Sequence, residues 1–153
     1  MVNMRPFTAF EQKNLKFLVN HNVKFTQVEI TPTGLGKGIL DSTAPMRAYF
    51  LENGIHNYEE QLQGQEHKQI RQACILTEAT QFFTKASFYR PNTKKGDPRM
   101  WIYGLGAYTE GNDIHVLFWH EQTLFSINIT HIDIEKCYNS AIITPMQDIL
   151  KVV

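Results

Sequence analysis

Residues 113–129, which read DIHVLFWHEQTLFSINI, contain two runs of strand-forming residues on either side of the short polar segment HEQ. Both runs are rich in aromatic and β-branched side chains, which favour strands. The segment between them has the length of a hairpin connection. The stretch therefore predicts an antiparallel hairpin, with strands at residues 113–119 and 123–129.

Further strands are predicted upstream of this hairpin. Residues 99–103 alternate, which puts Met100 and Ile102 on the inner face and Arg99, Trp101 and Tyr103 on the opposite face. Three more strands are predicted at residues 23–30, 73–77 and 81–90, and the tail 141–153 fits a strand followed by a short helix.

Two helices are predicted before most of these strands. The first covers about residues 8–20, where Thr8 and Glu11 have the spacing of a capping box. The second covers about residues 44–52, with Pro45 in its first turn and Gly54 as a left-handed residue after its end. This order predicts an α+β fold in one domain over residues 1–153, with a mainly antiparallel, curved sheet or open pseudobarrel.

The composition excludes several classes of protein. Fifteen basic and fifteen acidic residues give no net charge, which excludes a globally basic nucleic-acid binder but leaves room for a local basic patch. No apolar run has the length of a signal peptide or a membrane span, so a cytoplasmic location and no membrane partner are expected. Cys74 and Cys137 lie outside any CxxC motif and are predicted to be buried free thiols.

The Gly-rich segment TPTGLGKGILDSTAP, residues 31–45, predicts a loop that is not the interior of a regular element. It is not a P-loop, because Gly38 and not Ser or Thr follows Lys37. Glycines at positions 34, 36 and 38 allow close backbone approach, and the helix that follows favours an anion such as a DNA phosphate. A plain flexible turn is the alternative interpretation.

A second segment, FYRPNTKKGDPRMWIYGL at residues 88–105, combines cations with aromatic residues. The five cations of residues 85–99 are Lys85, Arg90, Lys94, Lys95 and Arg99. Interleaved with them are Tyr89, Trp101 and Tyr103. Cations for phosphate, Arg for base edges and aromatic rings for stacking are typical of a nucleic-acid surface. The alternative is a solvated hairpin loop, with Trp101 in a second small core.

Asp97, the one acidic residue within this basic segment, has three interpretations. It is a turn residue, or it holds Arg99 or Arg90 in a fixed geometry, or it is a metal ligand of a nuclease. No Glu-x-Lys sequence follows Asp97, although the common metal-dependent nuclease core would require one downstream of its Asp. A Mg²⁺ site from Asp41 and Asp97, with Lys95 nearby, is the remaining enzymatic option. No cofactor or metal is otherwise expected, since the six histidines have no paired-ligand spacing.

Three long phrases also carry a family resemblance. They are GLGKGILDSTAPMRAYFLENGIHNYEEQLQGQEHK at residues 34–68, SFYRPNTKKGDPRMWIYGL at 87–105 and NDIHVLFWHEQTLFSINIT at 112–130. These resemble segments of bacterial type II restriction-endonuclease proteins, where the segment stands alongside or ahead of an endonuclease domain of the MvaI/BcnI type. The resemblance implies DNA as the partner, a prokaryotic defence setting, a separate nuclease domain or subunit, and by analogy a β-rich pseudobarrel.

The sequence therefore predicts a DNA-recognition module of a bacterial restriction system. The predicted phosphate contacts are Lys37, Lys94, Lys95 and the backbone amides of Gly34, Gly36 and Gly38. The predicted base contacts are Arg90 and Arg99, with Trp101 and Tyr103 beside them and Arg47, His56 and Tyr58 on the same surface. Two alternatives remain: a small Mg²⁺-dependent endonuclease using Asp97, Asp41 and Lys95, and a small-ligand or peptide module with an aromatic pocket.

Overall fold

The computed structural model describes residues 4–139, apart from the side chains of Lys94 and Asn139. Seven strands form one mixed sheet that curves into a nearly closed barrel, so the α+β prediction is confirmed. The strands are β1 (Thr26–Ile30), β2 (Leu40–Asp41), β3 (Gln69–Leu76), β4 (Gln81–Tyr89), β5 (Arg99–Ile102), β6 (Asp113–His120) and β7 (Thr123–Asn128). The α-helices of these residues are α1 (Ala9–Asn20), α2 (Pro32–Lys37), α3 (Ala44–Glu52) and α4 (Ile134–Asn139). Short 3₁₀ turns lie at Tyr58–Glu60, Gln65–His67, Lys94–Gly96 and Leu105–Tyr108.

The strand order leaves an opening on one side of the barrel. It runs β1-β6-β7-β3-β4-β5-β2, and every pair is antiparallel except the parallel pair β3–β7. The strands β1 and β2 are thus the two edges of the sheet, although only α2 and its flanking residues separate them in the chain. Edge strands leave backbone groups unpaired along one side, so this opening is a place where a ligand can approach the backbone.

The predicted hairpin is confirmed, with a tighter turn than the sequence indicates. His120 pairs with Thr123, so that only Glu121 and Gln122 remain in the turn. Both turn residues have positive φ, of +47° and +64°. Positive φ at both central residues gives the turn the right-handed twist of the two flanking strands.

Two hydrophobic cores lie on the two faces of the sheet. Ala73 and Ile75 of β3 point into the barrel, whereas Cys74 and Leu76 point to the outer face beneath α1 and α4. Burial on both faces explains the continuous apolar run of residues 73–76 in the second half of β3. The strand begins at Gln69, before the predicted start, and its first four residues are not buried. Cys74 and Cys137 are buried free thiols in the outer core, as predicted.

The Gly-rich segment corrects one prediction. Residues Pro32–Lys37 form the helix α2, although a loop was predicted there. The hydroxyl of Thr31 caps the first turn, Pro32 occupies the first helical position, and Gly38 ends the helix with a left-handed φ of +66°. Each of the two glycines inside α2 lowers the stability of the helix by about 1 kcal/mol relative to alanine. The helix forms because these three features stabilise its ends.

The remaining helix predictions hold where they are described. The helix α1 has the predicted capping box between Thr8 and Glu11, and α3 has the predicted bounds. Gly54 has the predicted left-handed conformation, with a φ of +68°. The predicted terminal strand and helix at 141–153 lie outside the described residues. Among residues 4–139, no helix is both long enough and apolar enough to span a membrane.

The strand β6 carries a buried histidine, His115. The imidazole of His115 is fully buried, with Nδ1 2.8 Å from Ser126 Oγ and Nε2 2.9 Å from Thr109 Oγ1. Burial lowers the pKa of His115 to about 4; the nearby Asp113 carboxylate raises it and His131 lowers it further. The ring is therefore neutral in the folded protein near neutral pH, and the two hydroxyls satisfy both of its nitrogens.

We expect the protein to lose stability as the pH falls from 7.5 to 5. The unfolded chain binds a proton on His115 below its ordinary pKa of about 6.5, whereas the folded protein does not until about pH 4. The difference is about 2 kcal/mol over this range, measured by urea unfolding at the two pH values. A His115→Gln variant should lose most of this pH dependence. Equal stability of the wild-type protein at both pH values would contradict the assignment.

Candidate functional site

The two segments that the sequence singles out meet at the open edge of the barrel. We name residues 31–43 the Gly-rich arm and residues 90–103 the basic arm. The arms are joined by the pairing of β2 with β5, in which Leu40 lies opposite Met100 and Asp41 opposite Arg99. The Trp101 indole also packs against Gly38, where an added Cβ would lie 3.7 Å from the ring. The arms therefore form one continuous surface.

A cleft of about 790 Å³ lies between this surface and the free edge of β1. Five consecutive residues, 25–29, line its β1 side, and Lys37, Asp41 and Arg99 line its arm side. Four threonines also line it, namely Thr26, Thr31, Thr33 and Thr43. Hydroxyls and charges of both signs thus face one concave space whose surface is otherwise mostly apolar, which suits a ligand that combines hydrogen-bonding groups with apolar parts.

Arg99 is the least satisfied polar group of this cleft. Its side chain is 17% exposed, and its Nε is buried without a hydrogen-bond partner. The nearest carboxylate oxygen is Oδ1 of Asp41, 3.8 Å from Nε, which is too long for a hydrogen bond. A buried donor without an acceptor is costly, so a side-chain movement that exposes Nε to an acceptor from a ligand in the cleft would stabilise Arg99.

Tyr58 holds the backbone of Arg99 by a hydrogen bond and is not among the residues that line the cleft. Its hydroxyl donates to the carbonyl oxygen of Arg99 at 2.9 Å and lies 2.6 Å from Ser42 Oγ. The ring is 5% exposed, and burial raises the pKa of the hydroxyl. The prediction that Tyr58 lies on the ligand-facing surface is therefore wrong, because the residue is a buried link between the two arms.

His56 is also buried, which contradicts its predicted place on the surface. Its ring stacks on Phe88 at a centroid distance of 5.0 Å, and its Nε2 lies 2.9 Å from Oε1 of Gln61. Burial lowers the pKa of His56. The residue therefore belongs to the packing beneath the basic arm.

Arg90 and Arg47 hold the arms in shape. Arg90 donates from Nε to the carbonyl oxygen of Gly96 at 2.9 Å and from Nη1 to that of Gln61 at 3.0 Å. These bonds fix the turn of the basic arm and occupy the donors that were predicted to read bases. Arg47 donates from Nη1 to the carbonyl oxygen of Ser42 at 2.6 Å, although the residue as a whole is exposed.

Two of the three glycine amides that are predicted to contact phosphate already form hydrogen bonds within the Gly-rich arm. Gly34 donates its amide to Thr31 Oγ1 at 3.0 Å, and Gly38 donates its amide to the carbonyl oxygen of Gly34. An added Cβ at Gly34 would lie 2.7 Å from the carbonyl oxygen of Ile39, so glycine is needed there for close packing. Of the phosphate contacts that are predicted on the Gly-rich arm, Gly36 and Lys37 are the exposed ones.

Comparison with known proteins gives no assignment. No family model, no curated protein and no solved structure matches the chain. The function of the cleft therefore has to be inferred from its own geometry and from the sequence resemblance.

Two of the remaining candidates on the basic arm face solvent. Lys95 is exposed in a turn where its own φ is +59°, and Tyr103 is 40% exposed just beyond the end of β5. Trp101 is half-buried and packs against the inner core, not in a second small core. The side chain of Lys94 is outside the described part of the structure.

Within residues 4–139, Asp41 and Asp97, the carboxylates of the nuclease alternative, belong to no cluster of three potential ligands. Asp41 and Asp97 are both exposed, and Asp41 faces Arg99. Among residues 4–139, the structure brings together one group of three or more potential ligands, Glu110, Asp113 and His131. That group is distinct from the residues that line the cleft.

Sequence reasoning missed the β1 side of the cleft. Residues 25–29 read as an ordinary strand, and nothing in their pattern distinguishes an edge strand from a central one. Their position in the sequence, directly before the Gly-rich arm, does indicate a role in the site. A strand that leads into a site places its last residues close to that site.

Proposed function

We propose that the protein is a DNA-recognition module of a bacterial restriction system, and that DNA binds across the Gly-rich and basic arms. The observation that carries this proposal is the Arg99 guanidinium, which lines the cleft with its Nε lacking an acceptor. Arginine contacts to guanine O6 and N7 are the commonest specific contacts to DNA bases. The resemblance to restriction-endonuclease proteins supports the same ligand.

The charges on the two arms support contact with the phosphate backbone. Lys37 ends α2 on the Gly-rich arm, and Lys95 lies in the turn of the basic arm. Both lysines are exposed, so each is accessible to a phosphate of bound DNA. We assign Lys94 to the same role from its place in the sequence. Trp101 and Tyr103 supply aromatic surface beside the base-reading Arg99.

Alanine at Lys37 or Lys95 should weaken binding to all duplex DNA sequences by a similar factor. Each loss removes one phosphate contact, so the slope of log affinity against log salt should fall by about 1. Fluorescence anisotropy with random-sequence duplexes at several salt concentrations measures both quantities. Lys16→Ala, on the exposed face of α1 outside the cleft, is the matched control and should bind like wild type. If both arm variants keep the wild-type slope, DNA does not contact the arms.

A second candidate function is the binding of a small polar ligand or a peptide in the cleft. The volume of about 790 Å³ favours it, because ligand pockets range over about 300–1,000 Å³. This function predicts affinity for a small molecule and no loss of DNA affinity with salt. The same anisotropy series therefore separates the two proposals.

A further inference from the structure

Three side chains with metal-ligating atoms meet at the end of the barrel where β6 begins and β7 ends. Asp113 is the first residue of β6, Glu110 precedes it by one turn, and His131 follows β7. One ligating atom from each residue lies within 4.8 Å of the other two. The Nε2 atom of His131 is 3.0 Å from Oδ1 of Asp113 and 3.6 Å from Oε2 of Glu110.

These two distances are close to those between neighbouring ligand atoms of one bound metal ion. Zinc binds imidazole nitrogen and carboxylate oxygen at about 2.0–2.2 Å, which sets neighbouring ligand atoms about 3.0–3.4 Å apart for octahedral to tetrahedral angles. The distance from His131 to Asp113 lies at the lower limit of this range and the distance from His131 to Glu110 lies slightly above its upper limit. All three ligating atoms lie within 4.8 Å of one another, so side-chain movements of the two exposed residues, His131 and Glu110, would bring them onto one ion. One imidazole and two carboxylates suit zinc and its neighbouring transition metals better than magnesium or calcium.

Asp113 is held in place for this role by groups that are not ligands. Its side chain is 5% exposed, and its Oδ2 accepts from Asn128 Nδ2 at 2.8 Å and from the Glu110 amide at 2.7 Å. These bonds leave Oδ1 directed at His131. Such hydrogen bonds orient a metal-ligating carboxylate and are typical of metal sites.

The other two ligands leave the site open to solvent. The side chains of His131 and Glu110 are 52% and 82% exposed, so an ion can reach the cluster without any opening of the fold. The nearby cation Arg5 is engaged by the Glu11 carboxylate, with which it forms an ion pair. Two carboxylates therefore converge on one imidazole, and a divalent ion would offset their charge.

We propose that Glu110, Asp113 and His131 form a binding site for one divalent transition-metal ion, with Zn²⁺ as the best match. Three protein ligands leave a coordination position for water or for a group from a partner, as in open zinc sites. The ion would tie the turn before β6 to the turn after β7. This site is separate from the cleft, so the proposal is independent of the proposed function.

Isothermal titration calorimetry with Zn²⁺ tests the site, using untagged, chelator-treated protein so that no polyhistidine competes. We expect one Zn²⁺ per chain, and at least tenfold weaker binding in Glu110→Gln and in His131→Ala. Both side chains are exposed, so neither change should disturb folding, which circular dichroism checks. Mg²⁺ in place of Zn²⁺ should bind more weakly.

His120→Ala is the matched control. His120 Nε2 lies 3.7 Å from Oε1 of Glu121, and this pair belongs to no described group of three ligands. The control should keep wild-type affinity. Zn²⁺ at about 100 times its dissociation constant should also raise the melting temperature of the wild-type protein by about 5 °C, but not that of His131→Ala. Equal Zn²⁺ affinity of wild type and both ligand variants would overturn the proposal.

Discussion

Replacing Glu11 with alanine is expected to lower the free energy of unfolding by about 3 kcal/mol. This value is at the lower end of the range for removing one partner of a buried ion pair. The carboxylate is fully buried and accepts from Arg5 Nη1 at 2.8 Å, the Thr8 amide at 2.8 Å and Thr130 Oγ1 at 2.6 Å. Its bonds to Arg5 hold the pKa of Glu11 at about 2. One side chain thus joins the N-terminal segment, the start of α1 and the residues after β7.

Urea unfolding at pH 7 measures this loss of stability. Two further variants test whether the loss comes from the buried charge and its hydrogen bonds. Glu11→Gln keeps the shape and part of the hydrogen bonding but removes the charge, so it should fall between alanine and wild type. Glu52→Ala, on the exposed end of α3, should change stability by less than about 0.5 kcal/mol. A loss below about 1 kcal/mol for Glu11→Ala would show that the buried network contributes little.

The second large effect is expected on ligand binding, at Arg99. If this residue reads a base, Arg99→Ala should weaken binding to the preferred DNA site by about 10- to 100-fold, which corresponds to about 1–3 kcal/mol. The preferred site is found by selection of duplexes from a random library with the wild-type protein. The variant should also tolerate base changes at one position that the wild-type protein rejects.

Arg99→Lys separates base reading from charge alone. Lysine keeps the positive charge but lacks the planar fork that donates two parallel bonds to guanine. It should therefore restore non-specific affinity without restoring discrimination at that position. The Arg99 side chain packs within the cleft, so the melting temperature of each variant is measured alongside. Wild-type affinity and selectivity in a folded Arg99→Ala variant would exclude this base contact.

Local patterns in the sequence predict much of the fold. The Thr8–Glu11 capping box, the α3 bounds and the β6–β7 hairpin depend on residues within a few positions of one another. The helix α2 is the exception, because the glycines at positions 34, 36 and 38 favour a loop whereas Thr31 and Pro32 before them favour the start of a helix. Its end signals are also local, and their correct use would have predicted the helix.

The candidate site depends on contacts that the sequence does not encode locally. Tyr58 and His56 have polar groups that suit either a surface or a satisfied interior, and only the packing of residues 55–61 against Phe88 decides between them. The pairing of β2 with β5 joins segments that are about 60 residues apart in the chain. The spacing of the histidines does not indicate His131 as a ligand, because its potential partners are carboxylates on another turn.

The affinity of the wild-type protein for random-sequence duplex DNA, measured by fluorescence anisotropy at 50 and 200 mM salt, tests the central claim most directly. Contact between the arms and the phosphate backbone predicts a loss of affinity of at least about tenfold between these concentrations. Parallel samples with Mg²⁺ test the nuclease alternative, which predicts cleavage products that Asp97→Ala abolishes. Weak binding that is unchanged by salt would contradict DNA recognition by the arms and would favour a small polar ligand in the cleft.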